Sequence, residues 1–298
     1  MSVYPYDVSW QRQLVSHGGS VFFVNSTSGT KSDSNQYGGS PDQPFATLAY
    51  ALTKCTASKG DTIYVMPGHA ETITTAIAMS VIGVSVIGLG RGRNIPAFTG
   101  SGAIDVMDVS AASCWLENCR FIGAAASVTA LINIRAADLR VEKCLFTQAE
   151  TPVTAITVAS GGHRFHFKDC KFLSTADGPD HAFDFESSAS DDWFIEGCYF
   201  NFTSFGLDNA VFRANVDATK GGIIKDCVAI GLDATCLMID FNSSHAVGEG
   251  LMVNSYFQAN GAATIANLLD LGGYGTSHES GGSDGPNRTA ALPATTAS

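Results

Sequence analysis

A six-residue phrase recurs along this chain at a spacing too short for a domain and suited to one coil of a β-solenoid. It reads apolar, free, turn-tolerant, Cys, free, Phe, and its copies are Leu116 to Phe121 (LENCRF), Val141 to Phe146 (VEKCLF), Phe167 to Phe172 (FKDCKF) and Ile195 to Phe200 (IEGCYF). Ile224 to Ala229 (IKDCVA) and Met252 to Phe257 (MVNSYF) are degenerate copies, and Val86 to Arg91 (VIGLGR) reads as an early one. Cys119, Cys144, Cys170, Cys198 and Cys227 follow one another at 25, 26, 28 and 29 residues, with Ser255 another 28 on.

A second row lies between copies of the first, an apolar, polar, apolar triplet. Its members are Ile104-Asp105-Val106, Ile132-Asn133-Ile134, Ile156-Thr157-Val158, Phe183-Asp184-Phe185, Ile239-Asp240-Phe241 and Leu269-Asp270-Leu271, with Phe212-Arg213-Ala214 the weakest. Each coil therefore carries at least two short strands, and alternation sends one face inward and the other to solvent. Strands this short bury their apolar faces only by stacking on copies about 4.8 Å above and below. The third position of the first row is Asn118, Asp169, Gly197, Asp226 or Asn254, with Lys143 the exception. Gly, Asn and Asp tolerate the positive φ of a sharp bend between sheets. Helical periodicity is missing from the intervening SSASDD, NVDATKGG and FNSSHAVGEG segments, which argues against a βα solenoid.

The expected fold is all-β, a right-handed single-stranded parallel β-helix. One helix is expected, Pro44 to Ala57, with Leu48, Leu52 and Cys55 on one face, placed to cap the first coil. The chain divides into an N-terminal arm (1–20), a strand, loop and capping helix (21–62), the β-helix (63–272) and a flexible or partner-ordered tail (273–298).

Composition narrows the partners. A net charge of −11 without a Lys/Arg cluster argues against nucleic acid. No stretch of about 18 apolar residues suggests a membrane span, and Met1 to Ser20 lacks the layout of a signal peptide, so the expectation is a chain made without export. Eight cysteines in so long a chain are read as repeat elements rather than a disulfide framework.

The entry to the solenoid carries a resemblance. Val21-Phe22-Phe23-Val24, Ser32-Asp33-Ser34-Asn35, the run Gly38 to Thr47 (GGSPDQPFAT), Gly60 to Val65 (GDTIYV) and Pro67-Gly68 are similar to the capped start of pectin-lyase-like β-helices. Over roughly residues 20 to 272 the chain resembles that superfamily, and especially the β-helix proteins found among phage structural genes. The resemblance implies fold strongly and chemistry weakly, because the superfamily holds lyases, hydrolases, epimerases and inert spikes. Its lyases bind calcium on carboxylates of one sheet and use a nearby Arg or Lys as base.

Outward carboxylates with a basic neighbour are therefore the residues to weigh. Asp184, Arg213 and Asp240 form an acid, base, acid ladder one coil apart, with Asp180, His181 and Glu186 beside it and Asp177, Asp191 and Asp192 on nearby loops. Because these groups are strung along a ladder and do not converge, the reading preferred is a surface salt-bridge ladder, worth about 0–1 kcal/mol per pair. Glu117, Glu142, Lys168, Glu196 and Lys225 make a second ladder of mixed sign. The cysteine row reads as core packing, His163, His166 and Asp169 are separated by strand alternation, and His69 is expected in a solvent-facing turn, so neither metal nor cofactor is expected.

The functional expectation is a non-enzymatic virion structural protein, a phage capsid decoration or head spike. Its partners would be capsid or other virion proteins in a homotrimer, with surface glycans as a further partner. Tyr4, Tyr6, Trp10 and Leu14 are the expected attachment residues, since that much apolar surface is unusual in a free tail. The alternative is a polysaccharide-active lyase or hydrolase, or a glycan-binding tail spike.

Overall fold

The computed structural model describes residues 18–149, 154–174, 181–186, 190–202, 210–214, 221–232, 237–241, 250–259, 269–270 and 276–279. The chain is a parallel β-solenoid. Three sheets, of ten, eight and eight strands among the described residues, run its length, and every strand pairs in parallel with the equivalent strand one coil away. One coil illustrates the path. Trp115–Glu117 lies in sheet one, Arg120–Gly123 in sheet two and Ala130–Ile134 in sheet three, and Arg140–Glu142 then opens the next coil in sheet one.

The first-row phrase thus straddles two sheets, and its third residue is the hinge. Asn118, Lys143, Asp169, Gly197, Asp226 and Asn254 all have positive φ, between 47° and 63°. The hydrogen-bond ladder continues through this bend, because the Asn118, Lys143, Asp169, Gly197 and Asp226 N–H groups each donate to the carbonyl of the residue before the hinge one coil up, at 2.9 to 3.0 Å. Glycine at 197 has a steric reason besides φ: a Cβ there would sit 2.5 Å from the Asp169 carboxylate. Lys143 bends like the others and places its ammonium 2.8 Å from Glu117. A second row of left-handed hinges, Gly83, Ser113, Asp138, Arg164, Asp192 and Gly221, precedes sheet one and was not visible in the sequence.

Alternation fills the interior. Phe98, Phe121, Phe146, Phe172 and Phe200 form one continuous stack, with successive ring centroids 4.7 to 5.6 Å apart. Phe167, Phe183 and Phe212 close on it from the other sheets. Cys119, Cys144, Cys170, Cys198 and Cys227 are buried beside the stack, and Cys170, Cys198 and Cys227 direct their thiols at carbonyls of the preceding coil, 3.5 to 3.8 Å away. Thiols so placed pack as small apolar groups with weak donors.

Several expectations change. The helix is Leu48–Leu52, much shorter than Pro44 to Ala57. Thr47 caps its N-terminus by accepting from the Tyr50 N–H, Thr53 closes it a turn later, and Leu48, Ala51 and Leu52 are buried. The free edge of Val21–Val24 is occupied by backbone, with the Phe23 N–H donating to Gly38 and its carbonyl accepting from Phe45. Val86 to Arg91 copies only the start of the phrase. Val86 aligns with Leu116, but a detour through Gly90 and Gly92–Asn94 lets Phe98, not Arg91, meet Phe121. From the expected tail, Thr276–Glu279 is a strand paired with Gly250–Val253. The arm residues Tyr4, Tyr6, Trp10 and Leu14 lie outside the described residues, as do Asp177 and Asp180.

Candidate functional site

The outer face of sheet three carries the acid–base ladder. Register places Asn133, Thr157, Asp184, Arg213, Asp240 and Asp270 in one column, as the triplets predicted. Below Asn133 the column continues with Asp108, because Met107-Asp108-Val109, not Ile104-Asp105-Val106, aligns with Ile132-Asn133-Ile134. The strand Asp105–Val109 reads D-V-M-D-V, so both triplets fit the same pattern and the pattern alone does not choose.

Asp184 and Arg213 meet in a two-pronged ion pair. Arg213 Nε donates to Asp184 Oδ1 at 3.0 Å and a terminal nitrogen donates to Oδ2 at 2.6 Å. The carboxylate is nearly buried, its side chain 7% exposed against 32% for the guanidinium, so Arg213 forms its lid. Of the third member, Asp240, the structure describes the backbone, which pairs with Arg213. Arginine matches the geometry of both carboxylate oxygens at once, which fixes its orientation as well as its charge.

A second group sits on the same face. Asp105 accepts from Thr129 Oγ1 at 2.5 Å and from Asn133 Nδ2 at 2.7 Å, while Arg135 stands 3.3 Å from Asp108. Burial raises the Asp108 carboxyl above the ordinary carboxylate range, against the pull of Arg135 and with a push from Asp105. Glu186, on the strand end after Asp184, is raised by burial first and then by Asp184 and Asp105. Arg135 and Asp108 were not singled out in the sequence, and the only signal was their recurrence beside a known column.

The remaining sequence candidates resolve differently. Glu117, Glu142, Lys168, Glu196 and Lys225 do form a ladder, on the outer face of sheet one. Lys168 and Lys225 clamp Glu196 at 3.4 and 3.3 Å; burial would raise its carboxyl, but the two ammonium groups prevail and hold it low. His166 stacks on Phe194 at 4.8 Å, and Asp169 stands apart at the hinge, so these two are not brought together with His163. Burial pushes the Cys119 thiol up to about 12. Among the described residues no group of three or more His, Cys, Asp or Glu side chains is arranged to hold a metal ion.

His69 does not face solvent. It is 1% exposed, its ring tilted against that of Phe98, and its Nδ1 accepts from the Ser26 N–H at 2.9 Å. Its Nε2 must then carry the proton shared with Glu71 at 3.1 Å, whose carboxylate also accepts from the Leu48 N–H at 3.2 Å. This Ser, His and Glu are no catalytic triad, since Ser26 Oγ donates to the Ala70 carbonyl at 2.7 Å instead of facing the imidazole. The group ties the helix and the N-terminal loop to the strand Ala70–Ile73.

No family model and no curated protein matches the chain. Among solved structures, it is similar to one described as a rhamnogalacturonan lyase, with a TM-score of 0.56 and 16% identity over 80% of this chain and 68% of that one. It is also matched to Geobacillus virus E2 - ORF18, with a TM-score of 0.42 and 11% identity over 86% of this chain and 60% of that one. Likeness at the level of the lyase shows a shared β-helix fold, and chemistry has to come from side chains.

Proposed function

We propose that this chain is a non-catalytic, rigid solenoid carried on the surface of a phage particle, as a head decoration or spike. The observation that carries the reading is the closure of its best acid–base ladder. A general base must be able to reach a substrate proton, and Arg213, the base the family resemblance points to, gives two donors to Asp184. The uninterrupted Phe and Cys interior supplies stiffness, as a display element requires. Attachment is assigned to residues 1–20, which hold Tyr4, Tyr6, Trp10 and Leu14.

Quantitative mass spectrometry of purified particles tests this. A fixed copy number per particle is expected, and absence from particles would overturn the reading. Deleting residues 1–20 should leave the solenoid folded and abolish incorporation; unchanged incorporation removes the anchor assignment.

A polysaccharide-active enzyme is the second reading. It is favoured by Glu186, whose carboxyl burial and then the neighbouring Asp184 raise above the ordinary range, because a raised carboxyl is what a general acid acting on sugars needs. Incubation with a polysaccharide panel, following unsaturated products and reducing ends, decides. Turnover that disappears in Asp184→Ala or Arg213→Ala would replace the first reading with this one.

A further inference from the structure

The three outer faces differ in how they dispose of charge. Sheet one pairs acid with base around Glu196, and sheet three covers Asp184 with Arg213 and sets Arg135 beside Asp108. Sheet two does neither. Register puts two outward columns on it, Ala70, Ala97, Arg120, Leu145, Lys171, Tyr199, Val228 and Tyr256 in one, and Thr72, Thr99, Ile122, Thr147, Leu173, Asn201 and Ile230 in the other, with Thr147 buried between Ile122 and Leu173. In a chain with a net charge of −11, neither column holds a carboxylate. Among the described residues Arg120 and Lys171 have no ion-pair partner, and Arg120 Nε is buried without an acceptor. Tyr256 is one of two large apolar side chains that stand exposed among the described residues, at 38%.

We infer that a second copy of this chain packs on the outer face of sheet two, the solenoids side by side and parallel. Three features favour that occupant. A flat face whose ridges repeat every coil, about 4.8 Å, is matched along its whole length only by a partner with the same repeat, and another copy has it. Eight strands and four-residue widths give a face of about 500 Å² before side-chain relief and flanking turns are added, against about 800 Å² per partner in a standard interface. The columns are also self-complementary. A twofold axis along the solenoid sets each strand antiparallel to its mate, so each column meets the other at the same coil. Val228 then faces Ile230 of the other copy, Tyr199 faces Asn201, and the stem of Lys171 lies over Leu173, with no cation opposite a cation. An antiparallel pair centred on this face would instead set Val228 over Ala97 and Ile230 over Thr99, leaving the larger apolar side chains unmatched.

Sedimentation of the full chain at micromolar concentration tests the inference independently of any particle. The wild type should be an oligomer, and Ile230→Glu, an outward position, should shift it at least tenfold toward monomer with an unchanged circular dichroism spectrum. Adding Val228→Lys to Ile230→Glu should restore association, because the new ammonium meets the new carboxylate of the other copy. A monomeric wild type, or an oligomer indifferent to Ile230→Glu, overturns the inference. Dissociation by Ile230→Glu without restoration by Val228→Lys overturns the parallel register. As a control, Glu196→Gln on sheet one should leave association alone, and if it dissociates the oligomer the interface has been placed on the wrong face.

Discussion

Removing one ring from the interior stack should cost more than any change on the surface of the same strand, and three neighbouring substitutions make the comparison internal. Phe172 is fully buried, its ring centroid 4.7 Å from those of Phe146 and Phe200 with interplanar angles of 14°. Phe183 lies 5.2 Å to one side. Phe172→Ala empties a ring-sized volume between two rings that the backbone ladders hold apart, so the site collapses poorly and the loss should reach about 4 kcal/mol, within the usual ~3–5 for such truncations. Cys170→Ala, which removes one buried sulfur, should cost about 1 kcal/mol. Lys171→Ala, exposed in the same strand, should stay within about 0.5 kcal/mol. Because a solenoid is stabilised coil against coil, the void also uncouples its two halves, and Phe172→Ala should broaden or split the transition. Urea unfolding followed by near-ultraviolet circular dichroism reads both the midpoint and the slope. If Phe172→Ala cost no more than Lys171→Ala, the close-packed interior on which the fold rests would be refuted.

Arg213→Ala strands a buried carboxylate and should cost about 2–3 kcal/mol, whereas the double variant with Asp184→Ala should recover part of that loss, a non-additivity that a double-mutant cycle in urea measures. Asp108 and Glu186 have carboxyls raised in the fold, so their contribution to stability is fully present below the unfolded carboxylate range near pH 4 and is lost as pH rises through the folded values. Asp108→Asn with Glu186→Gln should therefore raise the thermal midpoint at pH 7, with the gain vanishing toward pH 4. His166 works in the opposite direction: burial, then Arg140, lowers its pKa, so stability present above about pH 6.5 is lost as pH falls through the folded value, and His166→Gln should flatten that limb of the pH–midpoint curve. Burial places Cys55 and Cys119 at about 12, leaving on the order of one ten-thousandth as thiolate at pH 8; mass spectrometry after iodoacetamide should find both unmodified until denaturant is added.

The parts of the fold legible in the sequence are those where side-chain identity itself recurs. Cysteine and phenylalanine repeat because a parallel ladder puts like on like, and the hinge after them is readable because Asn, Asp and Gly are the residues that accept it. The second hinge row was missed although Gly83, Asp138, Asp192 and Gly221 are of those types, because no one residue type recurs beside it to mark its place; Arg164, with φ of 50°, is held there by two hydrogen bonds to Asp138. His69 was misplaced for a related reason, since the loop that buries it arrives from residue 26, far away in sequence. Of the candidate site, the column Asp184, Arg213 and Asp240 was readable from spacing. The rise in Glu186 was not, because it comes from burial and from Asp105, which lies several coils below.

A parallel ladder turns each outward column into a one-dimensional row with neighbours about 4.8 Å apart, close enough that like charges in succession are destabilising. Such a row has few stable solutions. It alternates sign, as around Glu196; it buries an acid under arginine, as at Asp184; or it does without acids, as along Arg120, Leu145, Lys171, Tyr199 and Val228. The first two solutions satisfy themselves within one chain and leave little to offer a partner. The third leaves half-buried apolar side chains facing outward, with Tyr256 exposed, and water disfavours such surface. On the proposed packing, a second copy covers the outer face of sheet two and completes there what the other two faces complete within the chain.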